Sequence, residues 1–172
     1  LGSATSLRSQ HAALDEATRT ALLATIIEEA DRLNRFIGNL LDMTRLESGA
    51  LQPRADLVVL SDVIGAALQR AAKILAEHQI EVDLPANLPM LRLDMVLFEQ
   101  VLFNLLDNAA KYAPAGSLIR LAAEQVGGIA LLRVVDEGPG VPESGLPHIF
   151  EKFYRAKGPD RGRAGTGLGL AI

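Results

Sequence analysis

The stretch Asn104–Ala113, NLLDNAAKYA, decides how the chain is read. Leu105, Leu106, Ala109 and Ala110 belong on a helix that packs into a core, yet Asn104 and Asn108 fall one turn apart on a shared face. Asparagine suits a helix interior poorly, because its amide competes for backbone hydrogen bonds. On a buried face each amide brings donors and acceptors that cost free energy unless something satisfies them. Two solvated asparagines on the outer side of an amphipathic helix are the plain alternative.

The flanks place this helix in an α/β fold. Asp94 offers it an N-cap after the turn PANLP (85–89), and Pro114 to Gly116 ends it. Downstream, SLIRLAAEQ (117–125) and IALLRVVDE (129–137) flank Val126-Gly127-Gly128. That is a hairpin signal, since Gly-Gly supplies the positive φ that tight turns require. Upstream, ADLVVL (55–60) and the alternating QIEVDL (79–84) read as strands, with a helix over Ser61–Glu77 for which Ser61 offers the cap. The result is a two-layer α/β sandwich with a glycine-rich loop after Asp136.

A different pattern occupies the first 52 residues. Leu22, Ile26, Ala30, Leu33, Ile37, Leu40 and Thr44 recur at spacings of three or four, which predicts an amphipathic helix from Asp15 to about Glu47. Asp15 is placed to cap it, Ser48-Gly49 to end it, and Pro53 to block its continuation. With Leu1–Gln10 it forms a helical hairpin. Two helices cannot enclose an apolar stripe, so the hairpin is expected to dimerise as a four-helix bundle; packing on the rest of the chain is the alternative. Leu1 stands inside what reads as a helix already in progress and Ile172 inside the start of another, so the chain reads as a piece of a longer protein. The predicted organisation is a hairpin over 1–52 and a sandwich over 53–172.

Composition narrows the function. The 172 residues are 49% hydrophobic and 22% charged, enough to bury a core and too apolar for a disordered chain. The net charge of -4 gives no general basic footprint for nucleic acid, so any phosphate must be met locally. With no cysteine there are no disulfides or thiolate metal sites. No apolar run approaches the roughly 20 residues of a membrane-spanning helix, and no signal-peptide pattern opens the chain.

Four segments can carry chemistry, and each has an ordinary explanation. The first is Asn104 and Asn108 with Lys111 and Tyr112. The second is DEGPG (136–140), where a carboxylate at a strand end can accept from an exocyclic amine and glycines let backbone pass a flat ligand; it is also a common turn. The third is IFEKFYRAKGPDRGRA (149–164). Phe150 and Phe153 are spaced as helix neighbours, and Arg155, Lys157, Arg161 and Arg163 suit a lid meeting an anion, or a solvated loop. The fourth is GTGLGLAI (165–172), whose glycines precede an apolar run that looks helical from about Leu168; backbone N–H groups there suit phosphate. It is not the dinucleotide fingerprint, because Leu170 stands where the third glycine belongs. No Gly-Lys pair of a Walker loop and no His-Arg-Asp triplet occurs.

Together and in this order, the four resemble the N, G1, F and G2 boxes of the ATP-binding domain of sensor histidine kinases, in the group that includes gyrase, Hsp90 and MutL. The fold implied is a mixed sheet with helices on one face. SATSLR, EEADRLNRFIGNLLDMTRLESGAL and NLLDNAAKYAPAGS are most similar to the potassium-sensing, turgor-related branch of the family. The resemblance implies that Asn108 holds Mg²⁺ bridging the ATP phosphates. Asn104 stands where related ATPases carry a water-activating Glu; an amide cannot do that, so the site retains ATP for transfer, and Asn104 and Lys111 assist. Lys111 would meet phosphate and Tyr112 would lie near the nucleotide. Asp136 would accept the adenine amine, with Gly138 and Gly140 beside the purine. Phe150 and Phe153 would anchor the lid, and Arg155 and Lys157 would reach phosphate. Gly165, Thr166, Gly167, Leu168 and Gly169 would wrap the triphosphate.

The family's acceptor is a His followed by an acidic residue. None of the three histidines fits, since His11 precedes Ala12, His78 precedes Gln79 and His148 precedes Ile149. The resemblance therefore implies an ATP-binding kinase region without its acceptor histidine and without the last helix and strand. It also implies a homodimer through the N-terminal helices, a response-regulator partner, and a place in the cytoplasmic portion of a bacterial inner-membrane sensor. An inert nucleotide-binding or dimerisation module is the competing reading.

Overall fold

The structure, a computed structural model, describes residue 5 and residues 15–49, 52–155 and 166–172. It divides into two compact units, Leu1–Glu47 and Ser48–Ile172. In the first, the apolar spacing yields one long helix, α1 (Glu16–Glu47). Asp15 caps it, its Oδ1 accepting from the Thr18 N–H at 2.7 Å. Hydrogen bonds from the Thr18 side chain and backbone hold the Asp15 carboxyl below its ordinary value. Gly49, at φ +64°, follows the helix end. Ile27, Leu33, Ile37 and Leu41 are exposed on α1. The expected first helix of a hairpin lies outside the described residues, apart from Thr5.

The second unit runs β1 (Asp56–Val58), α2 (Leu60–Ala71), β2 (Gln79–Asp83), β3 (Leu91–Leu93), α3 (Met95–Tyr112), β4 (Leu118–Val126), β5 (Ile129–Val135) and a 3₁₀ turn (Glu143–His148). β2 and β4 are parallel and β4 and β5 antiparallel, a mixed three-stranded sheet; β1 and β3 make a separate antiparallel ribbon. The hairpin forms where expected, with Gly127 at φ +57° and Gly128 at φ +84°. That left-handed pair matches the twist of the two strands.

Three expectations change. The helix predicted over Ser61–Glu77 starts at Leu60 after Val59, which gives no side-chain cap, and ends at Ala71. Residues 72–77 continue as turns. The stretch before Asp94, read only as a turn, contains strand β3, too short for alternation to reveal. The helix predicted from about Leu168 is a single turn, closed by the Ala171 N–H on the Leu168 carbonyl at 3.0 Å.

The core lies on one face of the sheet. Alternation along β4 points Ile119, Leu121 and Ala123 at the helices, where they meet Val63, Ile64 and Ala67 of α2 and Leu102, Leu106 and Ala109 of α3. Leu102, Leu106, Ile119 and Leu121 are fully buried, and truncating one such leucine to alanine typically costs about 2–5 kcal/mol. The opposite sheet face is mixed: Arg120 pairs with Glu81 at 3.1 Å and Arg133 with Glu124, beside exposed Leu131 and Val135.

Both ends of α3 are tied down. At its start, Asp94 Oδ1 accepts from the Val96 and Leu97 N–H groups at 3.0 and 3.1 Å, and Oδ2 accepts from the Arg54 N–H at 2.8 Å. At its end, His78 Nε2 lies 3.2 Å from the Ala110 carbonyl, which can only accept, and Nδ1 faces Ser117 Oγ at 3.5 Å. The Leu97 and Arg54 backbone donors hold the Asp94 carboxyl below its ordinary 3.8. A depressed folded-state value contributes stability above that pH and loses it as pH falls through the folded value. Asp94→Ala is therefore expected to lower the melting temperature at pH 7, by a margin that shrinks below about pH 3.8. Thermal melts of both proteins from about pH 2.5 to about pH 7, roughly the range of carboxylate titration, measure it.

Candidate functional site

α3 positions the site because both of its sides are used. At about 100° per residue, Leu102, Leu106 and Ala109 form the core stripe, and Gln100, Asn104, Asn108 and Lys111 fall on the opposite side. That side would be solvated if nothing crossed it. Asn104 is instead 8% exposed. Its Nδ2 donates to the Gly169 carbonyl at 3.0 Å, and its Oδ1 accepts from Gln100 Nε2 at 3.2 Å. A Cβ on Gly169 would stand 3.9 Å from the Asn104 Cβ, so the loop rests on the side chain in ordinary contact.

One turn on, Asn108 is half-buried, and its amide has no hydrogen-bond partner among the described residues. Lys111 is paired with Asp107 through Nζ and Oδ2, with 31% and 18% of the side chains exposed. The end of the helix meets the loop after β5. There the Gly138 N–H donates to Asp136 Oδ1 at 2.7 Å, an Asx turn that fixes the carboxylate and leaves Oδ2 for another donor. A Cβ on Gly138 would approach Asp136 Oδ1 to 2.6 Å and the Tyr112 carbonyl oxygen to 3.1 Å. Glycine is thus required there for closeness, and at Gly140 for its φ of +71°.

α3 therefore carries the Asp136 loop at Tyr112 and the glycine loop at Asn104. Eight residues separate these points, about 12 Å along the axis, with Asn108 midway. Within the glycine loop, the Gly167 carbonyl accepts from the Phe153 N–H at 2.8 Å. Phe153 has φ +61°, rare for a side chain of that size. The rings of Phe150 and Phe153 are 69% and 58% exposed, so neither is plain core packing, and Phe153 meets Gly167 through its backbone. Both follow the 3₁₀ turn rather than sitting on a helix. Leu168 is buried; its N–H donates to Thr166 Oγ1 at 3.4 Å and its carbonyl accepts from the Ala171 N–H at 3.0 Å. Arg155 is exposed; Lys157 and Gly165 lie outside the described residues.

Two site neighbours went unnamed in the sequence: Gln100 and Asp107. Each stands four residues before a residue that was singled out, Asn104 and Lys111 respectively, so one-turn spacing was the available signal.

Among the described residues no three His, Asp or Glu side chains gather as a metal cage, and no helix is long and apolar enough to cross a membrane. Residues 93–172, from β3 through the glycine loop, match the family described as histidine kinase-, DNA gyrase B- and HSP90-like ATPase. The sensor protein KdpD of Clostridium acetobutylicum is 36% identical over 173 aligned positions, covering 99% of this chain. The solved mycobacterial sensor histidine kinase MprB is 30% identical with a TM-score of 0.57, over 70% of this chain and 73% of that one. The chain belongs to the sensor histidine kinases. Full-length ShkA, solved in complex with AMPPNP, superposes with a TM-score of 0.73 at 26% identity, over 94% of this chain and 34% of that one. The chain spans 19% of the length of the Clostridium KdpD.

The junction of Gly167 with Phe153 gives a test independent of ligand. Gly167 has φ +70°, and a Cβ there would lie 2.7 Å from the Phe153 carbonyl carbon and 2.8 Å from the Tyr154 oxygen, backbone atoms that cannot swing away. Gly167→Ala is expected to cost about 1–3 kcal/mol and to part the two segments. Denaturant melts and hydrogen exchange of the Phe153 amide measure both effects.

Proposed function

We propose that the chain is the Mg·ATP-binding catalytic region of a histidine kinase that moves the γ-phosphoryl group of ATP to a histidine and then to an aspartate of a response regulator. The observation that carries this is Asn108: a half-buried amide without a partner among the described residues, midway between the Asp136 loop and the glycine loop. An uncharged oxygen ligand suits Mg²⁺, which keeps several waters and takes phosphate oxygens for the rest. When bound, the ion would neutralise phosphate charge in an acidic protein.

The positions of the described residues support roles for them, and the family resemblance supplies those of Lys157 and Gly165. Asp136 Oδ2 accepts the adenine amine, with Gly138 and Gly140 keeping the loop close to the base and Tyr112 beside it. Lys111 meets phosphate by exchanging its Asp107 partner, and Arg155 and Lys157 approach from the lid. The backbone of Gly165, Thr166, Gly167, Leu168 and Gly169 lies along the phosphates. With amides at 104 and 108, the α3 face presents no carboxylate at these two positions to activate water. Phosphoryl transfer then depends on positioning and charge.

His78 is engaged with Ala110 and Ser117, and His148 with Glu151 at 2.7 Å. None of the three histidines is followed by an acidic residue, which supports the reading that the acceptor is a different histidine. The exposed apolar residues of α1 support a homodimer through the N-terminal helices in a four-helix bundle. Kinship with KdpD supports potassium or turgor sensing, in the cytoplasmic part of an inner-membrane sensor.

Calorimetric titration with a nonhydrolysable ATP analogue and Mg²⁺ tests the reading. Asn108→Ala and Asp136→Ala are each expected to weaken binding at least about tenfold, the worth of a charge-assisted contact. Labelled ATP is expected to leave no acid-labile phosphate on the chain. Equal affinity in wild type and Asp136→Ala would favour an inert module instead.

A further inference from the structure

The hydrogen bonds around Asn104 have a fixed direction, and it runs back to a residue outside the recognised boxes. The Gly169 carbonyl can only accept, so Asn104 must turn its NH₂ toward it. That leaves Asn104 Oδ1 facing Gln100, which must in turn present its own NH₂, as the 3.2 Å contact has it. A reversed Asn104 amide would set two oxygens against each other at Gly169. It would also set two donors against each other at Gln100. Asn104 is buried, so neither mismatch is relieved by water.

We propose that Gln100 is a positioning residue of the nucleotide site. Its amide holds Asn104 in the one orientation that anchors the Gly169 carbonyl, and so sets the glycine loop in place before ligand arrives. Gln100 touches no ligand; it acts through Asn104. The anchor also divides the two asparagines: Asn104 is committed to the loop, and Asn108 is left for the metal. This rests on the nucleotide-site reading above, but the anchor itself exists without nucleotide and can be tested without it.

Gln100→Glu is the discriminating variant, because it keeps size and helix propensity and, when ionised, replaces the amide donor with a charged acceptor. At neutral pH its carboxylate opposes Asn104 Oδ1. Once protonated, a carboxylic acid can donate again. In the 172-residue chain without ligand, hydrogen exchange of the 166–172 segment at pH 7 is expected to accelerate about five- to tenfold relative to wild type, the scale of one lost hydrogen bond, while α3 and the sheet keep their protection. In two-dimensional NMR spectra, the Asn104 side-chain NH₂ and Leu170 N–H signals of the variant should move away from wild type at pH 7 and return toward it near about pH 4, around the ordinary Glu value. Gln100→Leu should show the same loosening with no return on acidification.

A purely packing role for Gln100 predicts no effect of the near-isosteric Glu and no pH-dependent recovery; either result overturns the proposal. The second arm is titration with the Mg·ATP analogue, where Gln100→Glu should bind several-fold more weakly at pH 7. If wild type binds no analogue while the exchange and NMR effects appear, the anchor stands and the nucleotide reading fails. If wild type binds and the 166–172 segment is equally protected in both proteins, the anchor fails alone.

Discussion

The bond from Asn104 Nδ2 to the Gly169 carbonyl is the interaction on which the site depends. It turns α3 from an ordinary amphipathic helix into one covered on both sides. The core stripe alone would fix the helix on the sheet and leave its far side to water. Laying a glycine loop over that side creates a buried polar surface, and buried polar atoms need partners. The described residues contain no buried side-chain nitrogen or oxygen without one. Asn104 meets the requirement with Gln100 and Gly169, while Asn108 meets it by remaining half-open.

What could be read in the sequence was local. Asp15 and Asp94 cap the helices they precede, because an N-cap needs only a side-chain oxygen within two or three residues of the donors it serves. Gly127-Gly128 gives the hairpin for the same reason, since the turn's geometry is written in the two residues that make it. Ser61 misled because a good capping residue does not start a helix when Leu60 gains more by burial, at 3% exposure, than a cap would supply. β3 was hidden because its strand character comes from pairing with β1 over three residues, not from its own alternation.

The site divides along the same line. Which residue types would gather was legible from the order of the segments, and α3 does bring the Asp136 and glycine loops together. What spacing could not reveal is which carbonyl 65 residues away would lie over Asn104, or that Lys111 would be paired within its own helix. Gly138 and Gly167 also have reasons beyond flexibility. At Gly138 the neighbour is a carboxylate oxygen and at Gly167 it is backbone, so a methyl group is excluded at both by contact.

The pairing of Lys111 with Asp107 bears on how an acidic protein, of net charge -4, would hold a polyanion. A lysine left unpartnered in a partly buried position would pay for desolvation without return. Pairing it with Asp107 one turn away along the helix removes that cost. On the proposed reading, an arriving phosphate must exchange for Asp107, so Lys111 contributes only the difference between two anionic partners. On the same reading the net attraction would come from a metal at Asn108 and from backbone N–H groups of the glycine loop, which carry no counter-ion to displace. On that reading the site would bind the metal complex in preference to free nucleotide, and the orientation of the loop would matter more to it than the number of its basic side chains.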